Sequence, residues 1–134
     1  MVGANLSRVT INDSQYTLRL RMKLIIAIIK PHKLDDVRNG LIARGHNAMT
    51  VSNVEGFGRQ KGRTEIYRGA EYYYDWVPKV KIELAVSDDV VDEVIQIIIE
   101  TARSSKIGDG KIFVMNLTSA YRIRTGESGD TALQ

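Results

Sequence analysis

The chain of 134 residues has no cysteine, only two prolines and few aromatic residues (7%). Without cysteine it can form neither a disulfide framework nor a thiolate metal site. It also lacks any apolar run of about 18 residues, the length needed to span a membrane. Its formal net charge of +3 is too small to indicate nucleic-acid binding by itself. These absences favour a single soluble domain, and they direct attention to where its basic residues and glycines lie.

Hydrophobic periodicity predicts the element order β-α-β-β-α-β. The continuous apolar run from Met22 to Lys30 predicts a strand buried on both faces. The remaining elements are an amphipathic helix from Leu34, a strand at Met49–Val54, a strand at Val80–Val86, a helix ending near Ala102, a strand at Lys111–Leu117 and a short strand at Tyr121–Arg124. This order is typical of an α+β, ferredoxin-like sandwich with both helices on one sheet face. We expect self-association to cover the other face, because the first strand is too apolar for water.

The regular pattern begins at Met22, which divides the chain into an N-terminal extension, residues 1–21, and a domain, residues 22–134. The extension is expected to be flexible. Three loops stand out in the domain: a long loop at about 58–78, a second at about 103–111 and a C-terminal loop at about 119–134. A connection as long as the first is unusual in a compact domain and is typical of functional or mobile segments. Part of it is compatible with a hairpin, because Thr64, Ile66 and Tyr67 favour strands.

Three of these segments combine glycine or extended backbone with basic residues. The first is Gly56-Phe57-Gly58-Arg59-Gln60-Lys61-Gly62, and the second is Lys106-Ile107-Gly108-Asp109-Gly110-Lys111. Glycine lets the backbone approach an anion, and successive N–H groups can form a phosphate-binding nest. The third is Arg122-Ile123-Arg124, whose arginines would point the same way on an extended segment. Each alone is more often a turn or a solvated edge, but together they predict a polyanion site.

Two other classes of protein are compatible with parts of this pattern. An RNA-recognition module shares the strand order, but its signature needs aromatic residues after Gly-Phe-Gly, where Arg-Gln-Lys-Gly stands here. A small ATP hydrolase would need a general base, and none is evident beside Gln60. The sequence has no Ser/His/Asp or Cys/His set for covalent catalysis, so we expect a non-enzyme.

At the same clusters the sequence closely resembles the PII nitrogen-regulatory signal-transduction family. The matching motifs are IIKPHKLDDV, GFGRQKG, YRGAEY, KIGDGKIFV and RIRTGE. The resemblance implies a homotrimer of ferredoxin-like subunits that binds ATP or ADP between neighbours. Its implied nucleotide-binding residues are Ile28, Thr50, Gly56, Phe57, Gly58, Arg59, Gln60, Glu83, Gly108, Asp109, Gly110, Lys111, Arg122 and Arg124. The arginine pair is expected to reach the neighbouring subunit's site.

The resemblance also implies that magnesium-ATP creates a site for 2-oxoglutarate. Gln60 would ligate the metal, and Lys79 would pair with a carboxylate, with Lys61 and Gly108 beside the ligand. A dicarboxylate near three phosphates is repelled unless a cation and a lysine offset the charge, so its binding should require ATP and magnesium.

The family further implies a readout through the long loop, called the T-loop. Tyr72 matches the tyrosine that bacterial members carry as a uridylylation site. The implied partners are an ammonium transporter or nitrogen-regulatory enzymes: a uridylyltransferase, an adenylyltransferase or a sensor kinase. A cytoplasmic location is expected, with membrane association only through the transporter and no direct contact with nucleic acid.

Overall fold

The computed structural model describes residues 21–61 and 72–133, with the side chains of residues 59–61 and 72–74 outside that description. The predicted N-terminal extension lies outside it, apart from Arg21. The described elements are β1 (Met22–Ile29), α1 (Leu34–Ala43), β2 (Thr50–Lys61), β3 (Tyr72–Ser87), α2 (Val91–Ala102) and β4 (Gly110–Leu117). Short 3-10 turns at Pro31–Lys33 and Asp88–Val90 precede the two helices, and another lies at Gly129–Leu133.

The four strands form one antiparallel sheet in the order β2-β3-β1-β4. The central strands β1 and β3 pair from Met22 opposite Ser87 to Ile29 opposite Val80. This is the predicted ferredoxin-like arrangement, in which each helix connects strands that are not neighbours. The prediction of fold class is therefore confirmed.

The core lies between one face of the sheet and the two helices. Alternate residues of β1 and β3 point to this face, as the period of two along a strand requires. The core consists of Ile25, Ala27, Ile29, Val80, Ile82, Leu84 and Val86 from the sheet with Val37, Leu41, Val94, Ile98 and Ala102 from the helices, all buried. The helices therefore cover only one face of the sheet.

The other face of the sheet, which we call the open face, carries no helix. Here β1 presents Leu24, Ile26 and Ile28, which are partly exposed in the single chain. On β4 the same face carries Phe113 and Met115, which are 49% and 44% exposed. The first strand is thus apolar on both faces, as predicted, but one chain covers only one of them.

Strands β2 and β3 are much longer than predicted. Beyond Val54 and before Val80 they continue as a paired ribbon, from Val54 opposite Lys79 to Lys61 opposite Tyr72. The sequence has no sustained apolar alternation here because none of the described side chains at 55–58 and 75–79 is buried. Residues 58–61 and 72–78 of the predicted long loop therefore belong to strands, and residues 62–71 lie outside the described residues.

The predicted short strand at Tyr121–Arg124 is wrong. Tyr121 forms a single bridge with Ser128, and residues 123–125 make a turn. The turn is closed by the Gly126 amide, which donates to the Arg122 carbonyl (2.7 Å), and by the Arg122 amide, which donates to the Glu127 carbonyl (2.8 Å). A turn residue such as Gly126, with φ of 75°, favours this geometry over an extended strand.

Candidate functional site

The base of the β2–β3 ribbon and the loop between α2 and β4 enclose a cleft of about 750 Å³. We call it the lysine cleft. Its lining residues are Lys30, Pro31, His32, Gly56, Phe57, Gly58, Val77, Pro78, Lys79, Ser105, Lys106, Ile107 and Gly108. The fold therefore brings together the first two glycine-rich clusters, which are about 50 residues apart in the sequence.

The charge in this cleft has one sign. Lys30, Lys79 and Lys106 line it, and no aspartate or glutamate is among its described lining residues. Glycines at positions 56, 58 and 108 leave the backbone accessible between the lysines. A concave surface with several cations and exposed amides is suited to an anion.

Lys79 joins the two sides of the cleft. Its Nζ, carried by β3, donates a hydrogen bond to the carbonyl oxygen of Gly108 in the facing loop. Burial is the main cause that lowers the pKa of Lys79, the charge of Lys30 lowers it further, and Asp109 opposes both effects. An anion bound beside Lys79 would favour the charged form of the Lys79 ammonium group and would therefore raise this pKa again.

Asp109 closes the facing loop from within. Its carboxylate accepts hydrogen bonds from the amides of Ser104 (2.9 Å) and Ser105 (2.8 Å) and from the Ser104 hydroxyl. Lys30 Nζ lies 3.3 Å from the same carboxylate. The Ser104 hydroxyl is the main cause that holds the pKa of Asp109 far below its usual range. The carboxylate predicted to lie at a nucleotide therefore points into its own loop, where its charge is neutralised by donors.

Two glycines give this loop its shape. Gly108 and Gly110 have φ of 92° and 105°, in the left-handed region that L side chains avoid. A Cβ on Gly110 would overlap the backbone carbonyl of Ile28 on β1. The loop can therefore pass close to β1 and enter β4 only with glycine at this position.

Ile28 and Lys111 are neighbours on the open face beside this loop. They are paired across β1 and β4, and Lys111 directly follows Gly110. Lys79 lies on β3 at the same end of the sheet. The predicted residues Gly56, Phe57, Gly58, Lys79 and Gly108 thus line the lysine cleft. Ile28, Gly110 and Lys111 lie at the same end of the sheet and line a separate cavity together with Asp109.

Thr50 and Glu83 lie elsewhere. They face each other across β2 and β3, on the open face near the opposite edge of the sheet. Because β2 and β4 are three strand spacings apart, Thr50 and Lys111 are separated by roughly 14 Å across the sheet. A second cavity, of about 530 Å³, is lined by Thr50 and Glu83 together with Ala132 and Leu133 of the C-terminal segment. We call it the β2-edge pocket.

The predicted arginine fork is absent, because Arg122 directly precedes a turn and Arg124 lies within it, so the two do not lie on an extended segment. The Arg122 side chain donates to the carbonyl of Thr131 (2.7 Å), and its Nε lies 3.4 Å from the Glu127 carboxylate. Arg124 is exposed on the turn. Arg122 thereby ties down the C-terminal segment whose Ala132 and Leu133 line the β2-edge pocket.

The sequence of this domain matches that of a known protein family. Residues 22–127 match the sequence profile of the family "Nitrogen regulatory protein P-II". The chain belongs to the P-II family. The resemblance drawn from the motifs is thereby confirmed.

P-II relatives align over nearly all of the domain. Nitrogen regulatory protein P-II of Klebsiella oxytoca and nitrogen regulatory protein P-II 1 of Escherichia coli (strain K12) are each 61% identical over 112 residues. Those residues cover 84% of this chain and 100% of each relative. The relatives are named as regulatory proteins and not as enzymes.

Solved P-II structures have the same fold. The crystal structure of Arabidopsis thaliana PII bound to citrate matches with a TM-score of 0.69 and 38% identity, covering 84% of this chain and 92% of that one. The structure of B. subtilis GlnK matches with a TM-score of 0.71 and 35% identity, covering 84% and 99%.

The side chains of some predicted site residues are not described by the structure. Arg59, Gln60 and Lys61 belong to the end of β2, opposite Tyr74, Tyr73 and Tyr72, but their side chains lie outside the described part of the chain. The same holds for the side chain of Tyr72. Their proposed contacts stay predictions.

Neither Lys30, which lines the lysine cleft, nor its partner Ser104 was predicted from the sequence. Lys30 Nζ donates to the Ser104 hydroxyl (3.0 Å) as well as facing Asp109. The available signal was a lysine at the end of an apolar strand, directly before Pro31, where a charged side chain leaves the core at the sheet's end.

Proposed function

We propose that this P-II chain is a signalling protein that reports nitrogen, carbon and energy status by binding ATP or ADP. In this role the nucleotide is an effector and is not consumed. The observation that carries the proposal is the lysine cleft, in which Lys79 and the glycine loop at Gly108 meet at the base of the β2–β3 ribbon. An anion bound there contacts both elements at once.

The phosphates are the part of the nucleotide that this cleft suits. Gly58 and Gly108 offer accessible backbone, and Lys111 lies on the open face directly after the loop. Arg59 and Gln60 follow Gly58 along β2 and are proposed to reach the same phosphates. The described lining of the cleft supplies no carboxylate as a general base, which favours binding over hydrolysis.

The two separated groups of residues favour a homotrimer with nucleotide sites between subunits. A single chain holds the phosphate residues at the lysine cleft and Thr50 and Glu83 at the far edge of the sheet. In a closed ring, each interface joins two different surfaces of neighbouring subunits. Here these surfaces would be the two opposite edges of the sheet. One subunit's lysine cleft would then face the next subunit's β2-edge pocket. There Thr50 and Glu83 would line the adenosine, and Arg122 and Arg124 would reach across to the phosphates in the neighbouring subunit's site.

A second effector, 2-oxoglutarate, is proposed to bind when magnesium-ATP is present. Gln60 would hold the magnesium ion, and Lys79 would pair with a carboxylate of the ligand, with Lys61 and Gly108 nearby. The carboxylate would replace the Gly108 carbonyl as the partner of Lys79 Nζ. A solved relative is described as bound to citrate, also a polycarboxylate, which supports this ligand class.

The T-loop, which connects β2 and β3, would transmit the effector-bound state to partner proteins. Ordering at the ribbon's base, where both effectors bind, would change how the loop is presented to partners. The proposed partners are an ammonium transporter and nitrogen-regulatory enzymes in the cytoplasm, with uridylylation of Tyr72 as a control. Within the described residues, no helix is both long and apolar enough to cross a membrane.

Calorimetric titration tests the proposal. The protein is titrated with 2-oxoglutarate alone, with ADP, with ATP, and with ATP plus magnesium. Measurable binding is expected only in the last case, and equal affinity in all four would contradict the mechanism. Gln60→Ala should lose the 2-oxoglutarate response while keeping much of its ATP binding.

A further inference from the structure

Lys30 stands between the two sides of the lysine cleft. It is the residue after β1 and comes directly before Pro31, and its side chain is 20% exposed. Such a long cationic side chain is costly to confine unless its ammonium group finds partners. Its partners therefore indicate what the residue does.

Those partners are in the loop between α2 and β4. Lys30 Nζ donates to the Ser104 hydroxyl (3.0 Å) and lies 3.3 Å from Asp109 Oδ1. Asp109 in turn accepts the amides of Ser104 and Ser105. Lys30 thus contacts the Asp109 carboxylate, and this carboxylate in turn accepts hydrogen bonds from the loop backbone at Ser104 and Ser105.

A second lysine also contacts the same loop. Gly108 accepts from Lys79 Nζ, and a Cβ on Gly108 would lie 3.6 Å from Lys30 Cε. The loop also contains Ser105 at φ of 64°, a conformation that an L residue keeps only when its surroundings enforce it. The Lys30–Asp109–Ser104 network provides that constraint.

We propose that Lys30 is a positioning residue, which holds the loop 104–109 through Asp109 and Ser104 in the conformation that binds phosphate. This inference rests on the proposed function. It differs from a direct phosphate contact, because the ammonium group is already directed at Asp109 and Ser104. A direct ligand and a positioning residue make different predictions when both members of the ion pair are changed.

A double-mutant cycle on ATP binding separates these roles. The variants are Lys30→Met, Asp109→Asn and the double variant, with Lys30→Arg as the conservative rescue and Lys33→Met as the matched control. If Lys30 acts through Asp109, each single change should weaken ATP binding about tenfold, and the double change should be no worse than either single one. Lys30→Arg should recover most of the affinity, and Lys33→Met should bind as the unmodified protein does.

Additive losses in the cycle would overturn the proposal, since they would mean that Lys30 contacts the nucleotide independently of Asp109. Hydrogen exchange of the Ser104 and Ser105 amides, measured without nucleotide, gives a second readout. Exchange should be about tenfold faster in Lys30→Met, because the carboxylate that accepts both amides is no longer held. Unchanged exchange would also overturn the proposal. If the unmodified protein failed to bind ATP, the proposed function and the phosphate role would both fall, whereas failure of the cycle alone would leave the proposed function intact.

Discussion

At the scale of single residues, Gly110 is the most tightly constrained position of the loop between α2 and β4. Its φ of 105° costs an L residue roughly 1–2 kcal/mol. A Cβ there would also overlap the backbone carbonyl of Ile28, which cannot move without disturbing β1. We therefore expect Gly110→Ala to lower the free energy of unfolding by about 3 kcal/mol or more, as measured by urea denaturation.

Gly126→Ala is the matched control for this change. Gly126 also has a left-handed φ, of 75°, but a Cβ there meets no atom within 4 Å. It should lose only the conformational part, about 1 kcal/mol. Equal losses in the two variants would show that the close approach to Ile28 does not constrain the loop.

The glycine positions of the site were predictable from the sequence, but the direction of the acidic side chain was not. Gly108 and Gly110 stand in a motif that favours close backbone approach to an anion. Asp109 between them was grouped with the nucleotide-binding residues, yet its carboxylate accepts the amides of Ser104 and Ser105. Which donors surround a carboxylate depends on the loop's path, and that path is set by contacts distant in sequence, such as the ion pair with Lys30.

At the scale of elements, an ion cluster links the end of α1 to α2. Glu93 on α2 contacts His46 Nε2 and Arg44 Nη2, each at 2.6 Å, and the His46 side chain is only 11% exposed. The hydrogen bond with His46 is the main cause that lowers the pKa of Glu93, and the charge of Arg44 adds to it.

This depressed pKa predicts an acid-sensitive part of the stability. The unfolded chain binds a proton at Glu93 more readily than the folded one, so lowering the pH favours unfolding. We expect the contribution to be present above the pKa of a glutamate in the unfolded chain, about 4.3, and to be lost as the pH falls through the lowered pKa of Glu93. Glu93→Gln should therefore lose less of its free energy of unfolding over this acid range than the unmodified protein.

Glu100→Gln provides the control, because Glu100 also lies on α2 but accepts from Gln96 instead of a cation. Its pH dependence should match that of the unmodified protein. The comparison is made by urea denaturation at a series of pH values. A Glu93→Gln profile parallel to that of the unmodified protein would contradict the assignment.

The elements that pack against the core were predictable, and those that leave it were not. The alternation from Val80 to Val86 and the spacing of Val94 and Ile98 follow from burial against the helices and sheet. Among the described side chains of the ribbon, at 55–58 and 75–79, none is buried, so backbone pairing maintains it without an apolar period in the sequence. Tyr121–Arg124 was assigned to a strand on local preference, but Gly126 and the bond from Arg122 to Thr131 select a turn.

At the scale of the whole molecule, one chain contains both groups of residues that are proposed to bind a nucleotide but holds them apart. Lys111 lies at the β4 edge of the sheet, and Thr50 and Glu83 lie toward the β2 edge. The apolar open face, with Phe113 and Met115 exposed, gives a reason for several chains to associate. Light scattering should report about three times the chain mass of 15.0 kDa.

Mixed assemblies test whether two chains share each site. Lys111→Met damages the lysine-cleft side, and Glu83→Ala damages the β2-edge pocket. Each variant alone should assemble normally but bind ATP at least about tenfold more weakly, because every one of its sites lacks one half. When the two variants are unfolded, mixed equally and refolded together, about a quarter of the interfaces should join two intact halves and bind ATP with the original affinity.

The calorimetric titration of the mixture should then resolve a minority of tight sites that neither variant has alone. Refolding each variant separately and mixing the products afterwards is the control, since preformed assemblies cannot pair intact halves until they exchange subunits. If the co-refolded mixture binds no better than the separate variants, each site belongs to a single chain. One nucleotide would then have to reach Thr50 and Lys111 of the same subunit, across three strand spacings of its sheet.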